Sequence, residues 1–464
     1  MVSISAMKKD NFNKFLKYRK QYRKFVFENI DIKINSVSID LVYSFNIDNK
    51  YFFYPSVTIP QKPFFLKDVL KEEKIKNIAF NIGMVELISY WKAACPEEII
   101  IKPFYLDEEQ IKWWKNLYFK GLGEFFYLNS INTSKDDFVN ITSNSYDILQ
   151  KESFNSENSV IIPVGGGKDS AVTIELLSEF NNDNLLLILN PRNACMDTVS
   201  VAGYNNDKVI TVLRTIDTVL LKLNDEGFLN GHTPFSALLA FISLLCAAIT
   251  GKRNIALSNE SSANESTVED TYVNHQYSKS FEFENDFRNY YLKYITEDIN
   301  YFSFLRPINE LQIAKLFSKF SKYHYIFRSC NAGSKTDCWC GNCPKCLFTF
   351  IILSPFINRQ KLIEIFGKDL FGDKNLLYSF NQLIGIAETK PFECVGTIDE
   401  VNIALCETIK NESGKLPFLL EYYSKSENFI KYKNIDTASV LNDFNNKHFL
   451  DNNFTKILKK SLND

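Results

Sequence analysis

Along the first 150 residues, short strand-like runs (SIDLVYSFNI, NKYFFYPSV) are mixed with helical ones. NIGMVELISYWKAACPEEI and IKWWKNLYFKGLGEFFYLN carry apolar residues at helical spacing. The Ser/Asn-rich stretch KDDFVNITSNSYDILQKESFNSENS has no sustained periodicity and reads as a linker. From Ser159 the pattern becomes strand, turn, helix, strand. SVIIPV, NLLLILN, KVITVLRTI and NIALSNE read as buried strands, and DSAVTIELLSEF and FSALLAFISLLCAAIT as helices. Strands alternating with helices imply parallel pairing in a sheet covered on both faces. Ligands in such sheets sit at the carboxyl ends of the strands, so the turns after Pro163, Asn190 and Ser258 are expected to converge. Beyond about Tyr301 the pattern is helix-rich and ends in a polar tail.

The fold class expected is α/β. It divides into an N-terminal α+β domain (residues 1–150), a parallel-sheet α/β domain (151–300) and a helical C-terminal region (301–464) that holds a Cys-rich stretch. Composition agrees with a globular protein, at 45% hydrophobic and 23% charged residues. The net charge of -2 gives no electrostatic reason to expect a nucleic acid or an anionic membrane as partner. The run Phe235–Thr250 is shorter than the roughly 20 residues a bilayer needs and reads as a helix buried on all sides. The first 25 residues lack the apolar core of a secretory signal, so a cytoplasmic location is expected.

The turn Gly165-Gly166-Gly167-Lys168-Asp169-Ser170 lies between a predicted strand and a predicted helix. Glycine-freed N–H groups and a helix N-terminus make a cradle for an anion, and Lys168 and Ser170 add donors. Ile162 and Asp169 stand where the P-loop pattern needs Gly and Ser or Thr, and the dinucleotide glycine pattern fails as well. A carboxylate beside phosphate is repulsive unless Mg²⁺ accompanies the nucleotide, which is the role expected of Asp169. The turn resembles the PP-loop, Ser-Gly-Gly-x-Asp-Ser, of the ATP pyrophosphatases, with Gly165 in place of the leading Ser. That resemblance implies ATP split between its α and β phosphates. A glycine-rich turn binding nothing is the bland alternative, which the Lys-Asp-Ser triplet and the strand–helix series disfavour.

Five of the ten cysteines fall between Cys330 and Cys346. Clustered thiols in a reducing compartment suggest a metal before a disulfide. Cys330, Cys340, Cys343 and Cys346 would saturate a tetrahedral Zn²⁺ in a structural site, with Cys338 spare or replacing Cys330. An iron–sulfur cluster is the rival. The spacing is similar to the zinc motif of PP-loop enzymes that make 7-cyano-7-deazaguanine.

The polar stretch after Ser258 should choose the substrate, since it holds Asn259, Glu260, Asn264, Glu265, His275, Lys279, Glu282 and Glu284. His275, Tyr277 and Lys279 share a face if that segment is extended. NIGMVELISYWKAACP, PVGGGKDS, SNESSANE, VNHQYSKSFEFE, LRPINELQIAKLF, CGNCPKC and KPFECVGT together resemble the UDP-N-acetylmuramoyl-L-alanyl-L-glutamate epimerase family of bacterial cell-wall synthesis, over residues 80 to 400. The resemblance implies an ATP- and Mg²⁺-dependent conversion of the terminal L-Glu of a dipeptidyl UDP-sugar to D-Glu, with release of AMP and diphosphate.

On this reading the turn 165–170 binds pyrophosphate, with Lys168 and Asp169 acting in catalysis. His275, Lys279 and Glu260 are the proton-transfer candidates, and Cys394 is an outside one. Trp91, Trp113 and Trp114 read as core. Rival readings are another PP-loop enzyme performing amidation, nitrile formation or thiolation on a nucleobase, RNA or small carboxylate, and a non-catalytic nucleotide- and zinc-binding regulator.

Overall fold

The computed structural model describes residues 4–180, 183–268, 271–333 and 336–463. They form a mixed α/β structure in two compact units, each assembled from separate stretches of chain. The first comprises Met1–Ser159, Ile210–Ile255 and Tyr272–Asn300; the second comprises Val160–Val209, Ala256–Thr271 and Tyr301–Asp464.

The first unit is built on strands β1 (Lys24–Ile34), β2 (Ser38–Ile47), β3 (Tyr51–Phe53), β4 (Ser56–Pro60), β5 (Glu98–Ile101) and β6 (Asn140–Ser143). β2 pairs antiparallel with β1, β3 and β4, whereas β1–β5 and β5–β6 are parallel. Ile39, Leu41, Tyr43, Phe45 and Ile47 of β2 are all buried, the period-two face of a strand packed on one side. Two expectations change here. The segment taken as a linker contains β6, and the helix ends at Trp91, so that Glu98 opens β5. β6 is a four-residue strand recruited by pairing with β5, a partner that local periodicity does not reveal.

The helix Glu72–Trp91 is apolar around most of its circumference and almost wholly buried. At Gly83 a Cβ would stand 2.6 Å from the Tyr43 ring and 2.7 Å from that of Phe27, so only glycine permits this approach of helix to strands. The helix Phe235–Thr250 is buried except at Phe235, Ser236 and Leu239, as its composition predicts. No helix among the described residues is long and apolar enough to cross a membrane. Trp91 and Trp114 are fully buried, and Trp113 stacks on Tyr290 at 4.2 Å, so all three belong to packing.

In the second unit β7 (Glu157–Pro163) runs parallel to β8 (Leu185–Leu189), in the register Ile161 to Leu185, Ile162 to Leu186 and Pro163 to Leu187. The helix Lys168–Leu176 follows β7. Its inner face, Val172 among it, joins Ile162, Leu186, Phe317, Phe348, Phe371 and Tyr423 in one apolar core. The helices from Glu310 onward complete this unit, and the polar C-terminus is itself helical (Asn452–Asn463), anchored by Phe454 and Leu458.

The strands that reach the unit boundaries are β7, β9 (Val209–Arg214), β10 (Lys252–Leu257) and β11 (Asn300–Ser303). β9 pairs antiparallel with β4 through Val57–Arg214 and Thr58–Leu213. This places Arg214 against Glu86, which it meets with two hydrogen bonds of 2.8 Å. The Glu86 side chain is 1% exposed. Removing one partner of such a pair strands the other charge away from water. Glu86→Ala is therefore expected to destabilise the chain by about 3–5 kcal/mol, measured by urea unfolding, with a smaller loss when Arg214→Leu is added.

Candidate active site

The turn after β7 takes its shape from Gly166, whose φ of +77° suits glycine alone. A Cβ there would also lie 2.9 Å from the Ala194 carbonyl carbon, so the turns after Pro163 and Asn190 do converge. Arg192 donates to the Gly165 carbonyl at 3.3 Å, and the Arg328 amide donates to that of Gly166 at 2.7 Å. Around Gly165 a Cβ would meet nothing within 4 Å, so the turn is open on that side. Gly167 is the N-cap of the helix Lys168–Leu176 and brings no side-chain cap. Ser170 donates back to the Gly167 carbonyl at 3.0 Å. An open, glycine-shaped turn leading into an uncapped helix start is a donor set that fits a phosphate group.

Lys168 has a different setting from the one a surface phosphate ligand would have. Its side chain is buried, with Nζ donating to Asp169 at 2.5 Å and to Glu310. Burial alone would lower the ammonium's pKa, but Asp169 and Glu310 outweigh it and hold it above its ordinary value. Burial raises the Glu310 carboxyl, Lys168 draws it back, and Asp169 and Glu260 push it further up. The Glu310 amide in turn donates to Glu400 at 2.8 Å, and Glu400 closes a capping box with Thr397 on the helix Ile398–Asn411. Asp169, about one-third exposed, is the member of this network that reaches solvent.

Glu260 is buried and caps the turn Ser261–Asn264 by accepting from the Ala263 amide at 3.1 Å. Its own carbonyl accepts from buried Arg306 at 2.5 Å. The polar stretch around it is divided: residues to Thr271 fold with the second unit, and those from Tyr272 with the first. His275 and Lys279 therefore belong to a different unit from Glu260 and Asp169. Tyr277–Lys279 is a turn of 3-10 helix, so the alternation expected of an extended segment does not hold. Three-residue turns of this kind are set by local backbone bonds, here Lys279 N–H to the Gln276 carbonyl at 2.7 Å. Glu282 pairs with Lys120, and Glu284 is buried.

His275 Nδ1 lies 2.5 Å from a carboxylate oxygen of buried Glu124. His232 approaches the same oxygen at 3.7 Å, and burial, His275 and two lysines hold its imidazole down at about 3 and thus neutral. Neither Glu124 nor His232 carries a sequence motif. The only advance hint is that this chain has just four histidines and two of them meet here.

Cys330, Cys340, Cys343 and Cys346 come together, with all four sulfurs within 4.8 Å of one another. The pairs Cys330–Cys343 and Cys343–Cys346 are 3.5 Å apart, and Cys340–Cys346 is 3.7 Å. Thiolates at about 2.3 Å from a tetrahedral zinc would be about 3.8 Å apart, so the set fits the ion. Amides of Gly333, Asn342 and Cys346 donate to three of the sulfurs, which stabilises negative charge on them. Gly341 makes the left-handed turn (φ +67°), and Cys343 caps the helix Pro344–Leu353 that carries Cys346. Cys338 stays outside the cluster, exposed and 3.1 Å from the Thr336 hydroxyl. Cys394 is half-buried, and its carbonyl accepts from Lys345.

Residues 16–304 match the MurL N-terminal domain and residues 326–428 the MurL C-terminal domain. A protein of Micromonospora named UDP-N-acetyl-alpha-D-muramoyl-L-alanyl-L-glutamate epimerase is 34% identical over 330 residues, 70% of this chain and 73% of its own. Proteins with the same name from Xanthomonas oryzae pv. oryzae and Salinispora tropica are 31% and 34% identical, over 79% and 72% of this chain and 81% and 74% of theirs. Both domains of one family are matched in chain order across most of the sequence, and the chain belongs to the MurL family.

Proposed function

We propose that the protein is an epimerase that converts the terminal L-Glu of UDP-N-acetylmuramoyl-L-alanyl-L-glutamate to D-Glu in the cytoplasm, as a step of peptidoglycan synthesis. The name shared by the three relatives, each aligned over at least 70% of this chain, carries this reading.

The chemistry has to overcome the weak acidity of a Cα–H beside a carboxylate, whose negative charge already disfavours a carbanion. ATP would supply the activation: attack of the glutamate carboxylate on its α-phosphorus releases diphosphate and leaves an ester-like acyl adenylate with an acidified α-proton. A base then removes that proton from one face, an acid returns one to the other, and water frees the D-glutamyl carboxylate and AMP. In the PP-loop reading, the amides of Gly165, Gly166, Gly167 and Ser170 and the helix start hold the leaving diphosphate. Asp169 holds the accompanying Mg²⁺. Lys168, fixed by Glu310, sets the position of Asp169 and supplies positive charge beneath the turn. The proton-transfer groups are drawn from His275, Lys279 and Glu260. Zinc on the four cysteines is structural, since four thiolates leave no open coordination position.

Asp169→Asn should abolish substrate-dependent formation of AMP and diphosphate while the chain stays folded by circular dichroism; full activity in this variant would remove the PP-loop assignment. Chiral analysis of glutamate recovered from the product should give the D form together with AMP. Substrate-dependent AMP beside unchanged L-Glu would refute epimerisation, and substitution of a proton-transfer group should produce that same pattern. Cys343→Ser should lose the thiolate-bound zinc and lower the thermal midpoint, read by metal analysis and calorimetry. A brown, iron-containing wild-type protein would instead assign an iron–sulfur cluster.

A further inference from the structure

Glu124, His232 and His275 come from three separate segments of the first unit, and one ligand atom of each lies within 4.8 Å of the other two. Both histidines present Nδ1 to the same Glu124 oxygen, at 2.5 and 3.7 Å, with ring centroids 4.5 Å apart. Two ligands on one tetrahedral zinc, each about 2.0–2.2 Å from the ion, stand about 3.3 Å apart, a spacing the two observed distances straddle. We propose that Glu124, His232 and His275 form a binding site for a divalent transition-metal ion, distinct from the cysteine cluster.

The three segments are held in place by contacts of their own. A Cβ on Gly231 would meet the Phe125 ring at 3.0 Å, so the glycine before His232 packs directly on the residue after Glu124. Lys92 donates to the Gly231 carbonyl. Asn129 donates to the Phe125 carbonyl at 2.8 Å and to that of Asn230 at 3.4 Å, joining the helix of Glu124 to the loop of His232. On the third side, Tyr272 stacks on Phe119 at 4.8 Å and leads into the His275 segment. A site held in this way needs little rearrangement to accept an ion.

The donor set selects the kind of ion. Two imidazoles and one carboxylate suit zinc, iron, cobalt or nickel, whereas Mg²⁺ and Ca²⁺ require oxygen ligands. Lys92 and Lys279 add positive charge near His232, which weakens any ion held by charge alone and leaves coordination by nitrogen as the main source of affinity. Three protein ligands leave at least one position for water or a substrate oxygen. A metal-bound imidazole keeps only a donor N–H at its second nitrogen, so the loaded site assigns abstraction of the α-proton to a group other than His275. The inference rests on the first unit alone and is independent of the metal that the cysteines take.

The test is a Co²⁺ titration of the full-length protein after treatment with a chelator, followed by visible spectroscopy. The expected wild-type result is one equivalent with weak d–d bands and no sulfur charge transfer, separate from any thiolate-type signal. Glu124→Gln and His232→Gln should each lose that equivalent and keep the thiolate-type signal. A wild-type spectrum with thiolate-type signal alone overturns the proposal, and so does a sulfur-free signal that persists in both variants. Should neither variant fold, the wild-type spectrum and its stoichiometry decide.

Discussion

A buried ammonium cannot stand without counter-charge, and the second unit is organised around meeting that requirement at Lys168. Asp169 lies beside it on the same helix, and Glu310 reaches it from a helix more than a hundred residues later in the chain. Glu310 is held by Glu400, and Glu400 by Thr397, so one chain of polar contacts joins the glycine turn to two other helices. Loss of Lys168 or Glu310 would leave the other charge stranded away from water, which costs several kcal/mol. The turn at Gly165–Gly167 therefore does not depend on its own few backbone bonds. It is fixed from below by a charge network with Asp169 as its exposed end.

The first unit solves the same problem in two ways. Arg214 and Glu86 neutralise each other with a two-point ion pair. Around Glu124 the compensation is different: His232 gives up its proton under burial and nearby positive charge, and His275 bonds the carboxylate directly. A neutral imidazole at His232 has the protonation state a metal ligand requires. The same arrangement would also orient a histidine for proton transfer.

Much of the architecture was legible in advance because burial imposes periodicity. SIDLVYSFNI is β2 residue for residue, SVIIPV and NLLLILN are the parallel pair β7 and β8, and the Phe235–Thr250 run is the buried helix it reads as. The capping boxes at Asn309–Gln312 and Thr397–Glu400 are also local signals, although they do not show that Glu310 and Glu400 meet. The short strand β6 was missed because four residues of ordinary polarity become a strand only when β5 lies alongside. A shared face for His275, Tyr277 and Lys279 requires an extended segment, and the 3-10 turn at Tyr277–Lys279, which leaves no hydrophobic period to read, does not meet that condition.

What the sequence determined by itself is the grouping of adjacent residues: a glycine turn with Lys168, Asp169 and Ser170, and the closely spaced thiols Cys340, Cys343 and Cys346. Contacts within a few residues are dictated by backbone geometry, so motif and structure coincide there. The tertiary structure decided which remote residues complete each group. It chose Cys330 over Cys338 as the fourth thiol, placed Glu310 on Lys168, and brought Glu124, His232 and His275 from three segments to one point. Such meetings depend on how strands pair and helices pack across long stretches of chain, and no local pattern of residues encodes them.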